Sequence, residues 1–317
     1  MTIKHQKFIS AILIAFVVFG GFEILIAIIN LNQPIWFVKA GFAIWLYLAL
    51  KIGLLYDLHF KNPGALGRAI KKHESIEHWL LRSSKVVLSA LLDRFSHLAT
   101  KDHWLKFQNY LILPGILFWS TVILIYKNSS PVSDRPLQQF FALLSGLSLV
   151  VTYWYLKEIF LRKSEKVESD VFAGLASVKV YAASIAYGSA LAILRRFCLD
   201  NSLFVMAVFC LTFLLIYQAL FQHKQVNIKN IFKTLLISTV MAVLGYFISR
   251  FWTYNVYTAM VLMATVFNAL WGILHYYIDG ALTKKVFVET LLICLLIAIM
   301  LFSVTNFKER ILNACGF

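Results

Sequence analysis

Apolar stretches of about 20 residues recur along almost the whole chain, with short polar connections between them. This is the length of α-helix that crosses the hydrocarbon core of a bilayer. Backbone groups in hydrocarbon must be hydrogen-bonded within the protein, so the repeated stretches predict a bundle of transmembrane helices. The predicted spans are 8–30, 34–55, 108–126, 136–161, 171–194, 202–221, 230–249, 254–279 and 286–305.

The composition agrees with a bilayer as the solvent for most of the chain. Of the 317 residues, 60% are hydrophobic and 14% are charged, and the mean hydropathy is +0.76. A soluble domain cannot bury this much apolar surface, and the connections leave no room for a separate soluble domain. We therefore predict an all-α fold of about nine spans, in which residues 1–317 form a single integral membrane domain.

One connection, at 56–107, is long. Asn62 and Pro63 form a helix-start signal, and the apolar residues that follow recur at helical spacing opposite a polar face. This pattern predicts an amphipathic helix on the cytoplasmic membrane surface, although a helix packed against the inner end of the bundle fits it equally well. Arg82 and Lys85 interrupt the apolar run, so the segment is not a tenth span.

The basic residues predict the orientation. The chain has 30 Lys and Arg against 15 Asp and Glu, a formal charge of +15 that would suggest a nucleic-acid partner in a soluble protein. Here they concentrate in segments that a cytoplasmic N-terminus places inside, above all between Lys61 and Lys106. We predict a multi-pass protein of the inner or plasma membrane with its C-terminus outside. Its partners are the bilayer and anionic lipid headgroups at the cytoplasmic face, not nucleic acid, and the sequence identifies no protein partner.

Ionisable side chains within the spans are costly in hydrocarbon and therefore mark structural or functional sites. Glu23 on the first span and Lys39 on the second lie at similar depths near the short turn that joins the two helices. Because these helices must be neighbours, we predict a structural ion pair between Glu23 and Lys39. A role in transport is the alternative.

The eighth span carries a continuous polar face. Polar residues and one glycine recur there at intervals of seven, three or four residues, which places them on one side of a helix. His275 and Asp279 are one turn apart near the predicted cytoplasmic end, so the carboxylate could orient the imidazole, or both could bind a metal ion. We assign no metal site and no cofactor on this evidence. The face comprises Thr258, Thr265, Asn268, Gly272, His275 and Asp279.

The fourth span repeats this arrangement and also ends in an acid on the predicted cytoplasmic side. On the fifth span, Lys179 shares a face with Ala183 and Ala186, small residues that allow close helix packing and keep the ammonium away from lipid. Glu289 lies at the beginning of the ninth span. The fourth-span face comprises Ser145, Ser148, Thr152, Tyr155 and Glu158.

We predict that these faces meet around a polar cavity open to the cytoplasm. Histidine and carboxylates exchange protons readily, which makes them candidates for acid–base chemistry. The alternative is that the polar groups serve helix packing, since Ser and Thr bond to their own backbone and acids near helix ends reach the interface. The candidate catalytic residues are His275, Asp279 and Glu158, and the candidate substrate-binding residues are Lys179, Asn268, Thr152, Tyr155 and Glu289.

The four cysteines divide into two pairs. Cys210 and Cys294 fall within spans and are expected to pack as small apolar residues. Cys198 and Cys315 are both predicted to lie outside, where a disulfide would be compatible with an oxidising compartment. The sequence does not decide whether they pair.

Three classes of function fit these features. The first is a membrane-embedded enzyme that acts on a lipid or polyprenyl-phosphate substrate from the cytoplasmic side. The second is a secondary transporter that uses the polar faces as a path, and the third is a non-catalytic protein for membrane assembly or partner binding. We favour the enzyme, because the polar residues gather at one end of the bundle and transporter sites usually lie at the midplane.

Overall fold

The computed structural model describes residues 3–60, 101–129, 135–161, 169–197, 199–222, 225–251, 256–278 and 280–304. In these ranges the chain is helical apart from short turns and contains no strand. Nine helices there are long and apolar enough to cross a membrane, which confirms the predicted all-α, nine-span fold. They are α1 (Ile3–Asn30), α2 (Pro34–Phe60), α3 (Lys101–Lys127), α4 (Arg135–Leu161), α5 (Ser169–Arg196), α6 (Asn201–Gln222), α7 (Ile228–Phe251), α8 (Val256–Ile278) and α9 (Lys284–Val304).

Several helices extend beyond the predicted apolar spans. The third begins at Lys101, seven residues before the predicted position 108, because a helix can continue into the polar interfacial region after its apolar residues end. Residues 61–100 of the long connection lie outside the described residues. The amphipathic interfacial helix therefore stays a prediction, as does the assignment of the whole chain to one domain.

A tight turn joins α1 to α2. Asn32 adopts a left-handed backbone conformation with φ of 56°, which Asn tolerates better than most residues. The amide of Gln33 donates a hydrogen bond of 3.2 Å to the Ile28 carbonyl and so closes the end of α1. Pro34 then begins α2 at a position where its missing N–H costs no helical hydrogen bond. The two helices are thereby fixed as antiparallel neighbours.

Contacts between helix ends define two ends of the bundle. At the one we call the Asn30 end, Asn30 Nδ2 donates to Gln138 Oε1 at 3.3 Å, and Tyr257 donates to Asn128 Oδ1 at 2.6 Å. At the opposite, His275 end, Lys233 Nζ lies 3.4 Å from the ring centroid of Tyr277. These contacts join α1 to α4, α3 to α8 and α7 to α8 in an alternating, up-and-down arrangement.

Helix α5 lies at the centre of the bundle and α9 at its edge. The span of α5 is 67% buried, and it packs against α3, α4, α6 and α8. No residue in the apolar stretch of α9 is buried, and this helix packs against α8. Small residues bring neighbours close, as at Gly188 of α5, where an added Cβ would lie 2.5 Å from the sulfur of Met260 on α8.

We expect Gly188→Val to lower the free energy of unfolding by about 1–3 kcal/mol, because the branched side chain must displace the Met260 side chain from its place between α5 and α8. Gly20→Val is the matched control, since a Cβ at Gly20 meets no atom within 4 Å. The control should stay within about 0.5 kcal/mol of the parent protein. Thermal unfolding of the purified proteins in one detergent provides the comparison, and equal losses in both variants would contradict the close packing.

Candidate functional site

A cavity of about 680 Å³ lies between α5, α8 and α9. Its volume is typical of sites for small molecules or lipid headgroups. Four members of the polar face predicted on the eighth span line it, so that face is directed towards the cavity. They are Thr265, Asn268, Gly272 and His275.

A stack of side chains marks the His275 end of the cavity. The rings of His275 and Trp271, one helical turn apart on α8, are parallel within 4° and their centroids are 5.6 Å apart. On α5, Lys179 is only 3% exposed, and its Nζ lies 5.8 Å from the centroid of Trp271. Trp271 therefore contacts both candidate residues, and a cation over its face is stabilised by the ring electrons.

Asn268 lies at mid-depth. It is ten residues, or roughly 15 Å, from the end of α8 at Ile278, and its side chain is exposed to the cavity. Within the described part of the chain no hydrogen bond joins its amide to another residue. An amide in hydrocarbon without a partner is costly, so this position indicates water or a polar ligand group inside the cavity.

The wall formed by α5 also carries hydroxyl groups. Ser177, Tyr181 and Ser184 follow one another at helical spacing and line the cavity. The Tyr181 hydroxyl lies 2.9 Å from Ser145 Oγ on α4, and Thr121 of α3 donates to the same Ser145 oxygen at 2.6 Å. A chain of three hydroxyls thus runs from the bundle interior to the cavity wall and fixes the Tyr181 ring.

The members of the α4 polar face whose side chains the structure describes do not line this cavity. Thr152 is buried, and its hydroxyl donates to the Ser148 carbonyl at 2.7 Å, the backbone bond common in membrane helices. Tyr155 is half-buried against the apolar core. Glu158 belongs to α4 by its backbone, and its side chain lies outside what the structure describes. The structure therefore brings α8 and α5 together at the cavity, with α4 connected through Ser145.

Among the remaining candidates near the His275 end, Glu289 is not one of the residues that line the cavity. Glu289 is exposed, and its carboxylate is 3.8 Å from Lys285 Nζ one turn earlier on α9. Such an exposed pair contributes little to stability. Asp279 lies outside the described residues, so its pairing with His275 stays a prediction.

The two charges predicted to pair across α1 and α2 each contact a different neighbour. Glu23 Oε2 accepts a hydrogen bond of 3.0 Å from Gln139 on α4. Lys39 Nζ lies 4.9 Å from the ring centroid of Trp36 on its own helix. Each contact lowers the cost of a charge near lipid, and an ion pair between Glu23 and Lys39 stays a prediction.

The described residues that line the cavity between α5, α8 and α9 form a neutral to basic site. No Asp or Glu is among the described residues that form its walls, and no cluster of metal-ligating side chains occurs in the described part of the molecule. The walls offer one imidazole and several hydroxyls, with the buried Lys179 beside them. Such a set can donate hydrogen bonds to an anionic group and move a proton at His275.

Several lining residues were not predicted from the sequence. Ser177, Tyr181 and Ser184 had the same spacing signal as the face of α8, although it was obscured by the alanines around Lys179. Trp271 had no signal, because an aromatic residue in an apolar span is ordinary. Cys294 was expected to pack as a small apolar residue, and the structure places it in the α9 wall of the cavity.

Comparisons with other proteins give no further assignment: no protein-family model matches this chain, and neither a curated protein nor a solved structure matches it.

If the cavity holds water, Cys294 should react faster with a small, water-soluble methanethiosulfonate than Cys210, because the thiolate forms in water and not in hydrocarbon. Cys210 is the matched thiol, since it is exposed on α6 away from this cavity. The experiment uses a Cys198→Ser, Cys315→Ser background and measures labelling rates by mass spectrometry.

A blocking variant tests the same point. A Cβ at Gly272 meets no atom within 4 Å, so Gly272→Trp can project into the cavity and should slow the labelling of Cys294. Gly20→Trp provides the control for a bulky residue elsewhere. A Cys294 rate that equals the Cys210 rate and does not respond to Gly272→Trp would contradict a hydrated cavity.

Proposed function

We propose that the protein is a membrane-embedded enzyme that binds a lipid phosphate or polyprenyl phosphate in the cavity between α5, α8 and α9. The observation that carries the proposal is the combination of a basic, hydroxyl-rich end at His275 with an apolar wall along α9. An amphiphilic anion has two parts that match this polar end and this apolar wall. Its phosphate requires donors and positive charge, and its chain requires an apolar surface.

The phosphate is assigned to the end of the cavity that His275, Tyr276 and Ser177 line. His275 lies about 4.5 Å along the helix axis from the end of α8, at the depth where a headgroup meets the bilayer interface. The amine of Lys179, 5.8 Å from the Trp271 ring centroid, is a further hydrogen-bond donor beside this end. With the N-terminus in the cytoplasm, as the basic residues predict, this end faces the cytoplasm.

The chain of the substrate is assigned to the α9 wall. Ile293 and Ile297 line the cavity from this helix, opposite Val261 and Ala264 of α8. Within the described part of the chain, α9 packs mainly against α8. The side of the cavity beside α9 is therefore the natural entrance from lipid. A polyprenyl or acyl chain can lie there without leaving an apolar environment.

His275 is the proposed acid–base residue. Its imidazole can take a proton from an attacking hydroxyl or water and return one to a departing phosphate oxygen. The parallel contact with Trp271 fixes the ring plane. Glu158 and Asp279 stay candidate partners for this imidazole on the strength of their sequence positions.

Binding and chemistry can be tested separately. In nanodiscs, a polyprenyl phosphate should bind about tenfold or more tightly than the uncharged polyprenol of equal length, because charge-assisted hydrogen bonds to the phosphate are lost with the polyprenol. Native mass spectrometry measures both ligands on the same protein. Equal retention of the two would contradict the assignment of the phosphate.

For the chemistry, the labelled polyprenyl phosphate is incubated with the protein and a cytosolic extract that supplies co-substrates. His275→Ala should slow conversion of the lipid, seen as a change in its mass, by about 100-fold or more and leave its binding nearly unchanged. Thr239→Ala is the control, since this exposed residue of α7 bonds only its own backbone at Leu235. Full conversion by His275→Ala would remove the imidazole from the mechanism.

A secondary transporter is the second candidate, and Asn268 is the observation that favours it. The cavity lining on α8 runs from His275 to Val261, roughly 21 Å, so the polar surface reaches the midplane where transporter sites usually lie. Vesicles distinguish the two functions. A transporter moves the lipid or solute between leaflets without a change in mass, and Asn268→Leu should reduce that movement more than His275→Ala.

A further inference from the structure

A second groove lies at the Asn30 end of the bundle, on the opposite end from His275. It has a volume of about 660 Å³ and is formed by the beginning of α6 and the last turns of α7. These two helices are packed closely, since a Cβ at Gly245 of α7 would lie 3.3 Å from Val208 of α6. The groove is therefore a surface of a firmly paired helical hairpin.

Opposite charges line this groove. Asp200 immediately precedes α6, and Arg250 lies in the last turn of α7 with its side chain exposed. Within the described part of the chain no ion pair joins the two side chains, although both face the same space. A ligand with one charge of each sign can contact both.

The Asp200 carboxylate is held in its charged form. Ser202 Oγ donates to one of its oxygens at 2.5 Å, and the Ser202 amide donates to the other at 3.4 Å. These hydrogen bonds, the side-chain one first, lower the pKa of the Asp200 carboxyl below its ordinary value. The acceptor is therefore an anion at neutral pH.

The walls of the groove below these charges are apolar. Val205, Met206 and Phe209 of α6 face Ala242 and Tyr246 of α7. From Asn201 to Phe209 the groove extends roughly 12 Å along the helix axis. This length can hold the part of an acyl chain nearest to the headgroup. A Tyr near the end of a span is also typical of the headgroup level of a bilayer.

We propose that this groove binds a zwitterionic phospholipid with a primary amine, of the phosphatidylethanolamine class, through its phosphate at Arg250, its ammonium at Asp200 and an acyl chain between α6 and α7. A purely anionic lipid would place its charge against Asp200, and a neutral lipid would leave both side chains unused. A primary ammonium can donate hydrogen bonds to the carboxylate, which a choline headgroup cannot do.

Native mass spectrometry of the full chain tests this proposal with dioleoyl lipids that share the same tails. Phosphatidylethanolamine should be retained roughly two- to fivefold better than phosphatidylcholine or phosphatidylglycerol, the range expected for partly exposed charge contacts. Asp200→Asn should remove the preference for ethanolamine over choline. Arg250→Gln should weaken all three phospholipids alike.

Two further variants separate the groove from the lipid layer that surrounds any membrane protein. Val205→Trp fills the groove and should abolish the preference, whereas Arg135→Gln changes an exposed charge at the same end of the bundle, outside the groove, and should not. Circular dichroism and elution volume establish that each variant is folded. Equal retention of the three lipids by the parent protein, or a preference that survives Val205→Trp, would overturn the proposal.

This inference is independent of the function proposed for the cavity at His275. The two sites share no lining residue and lie at opposite ends of the bundle. Loss of the ethanolamine preference in Asp200→Asn should therefore leave the binding of polyprenyl phosphate unchanged. A failure at one site can be distinguished from a failure at the other.

Discussion

The cost of a polar group in hydrocarbon determines how this bundle is assembled. Most described serine and threonine hydroxyls within the spans meet that cost locally: Thr212, Thr234 and Ser238 each donate to the carbonyl four residues earlier on their own helix. A smaller group meets it across helices, as where the Tyr153 hydroxyl of α4 donates to the Leu48 carbonyl of α2 at 2.7 Å. Gln218 departs from both patterns, since its amide atoms are buried without a hydrogen-bond partner among the described residues. The cross-helix bonds and the close packing at small residues together fix which helices are neighbours.

This distinction separates the two polar faces that looked alike in the sequence. On α4, the hydroxyls of Thr152 and Ser145 are used by the protein itself, one for the backbone and one for Tyr181. On α8, Thr265 bonds its own backbone, but the Asn268 amide and the His275 ring face a cavity. Similar spacing thus has different consequences, because an amide or imidazole cannot satisfy itself on its own helix as easily as a hydroxyl can. The larger polar groups are the ones that require a ligand, water or a neighbouring helix.

Features that are determined within a single segment of the chain could be predicted from the sequence. Span length and apolar content are properties of each stretch, and so the nine helices were predicted correctly. The face of α8 was likewise visible, since helical periodicity is local. The pairing of helices was not visible: the contact of Lys179 with Trp271 depends on how α5 crosses α8, and no spacing within either segment encodes that crossing. For the same reason, the α5 hydroxyls at Ser177 and Ser184 could be placed on one face but not at a cavity.

The peripheral position of α9 has a consequence for biogenesis. Helices leave the ribosome in chain order, so α5 and α8 are already in the membrane when α9 is inserted. Because no residue in the apolar stretch of α9 is buried, the preceding helices can complete their packing without α9. Insertion of α9 then converts an open, lipid-facing side of α8 into a walled cavity. The cavity beside Asn268 and His275 therefore receives its third helical wall last.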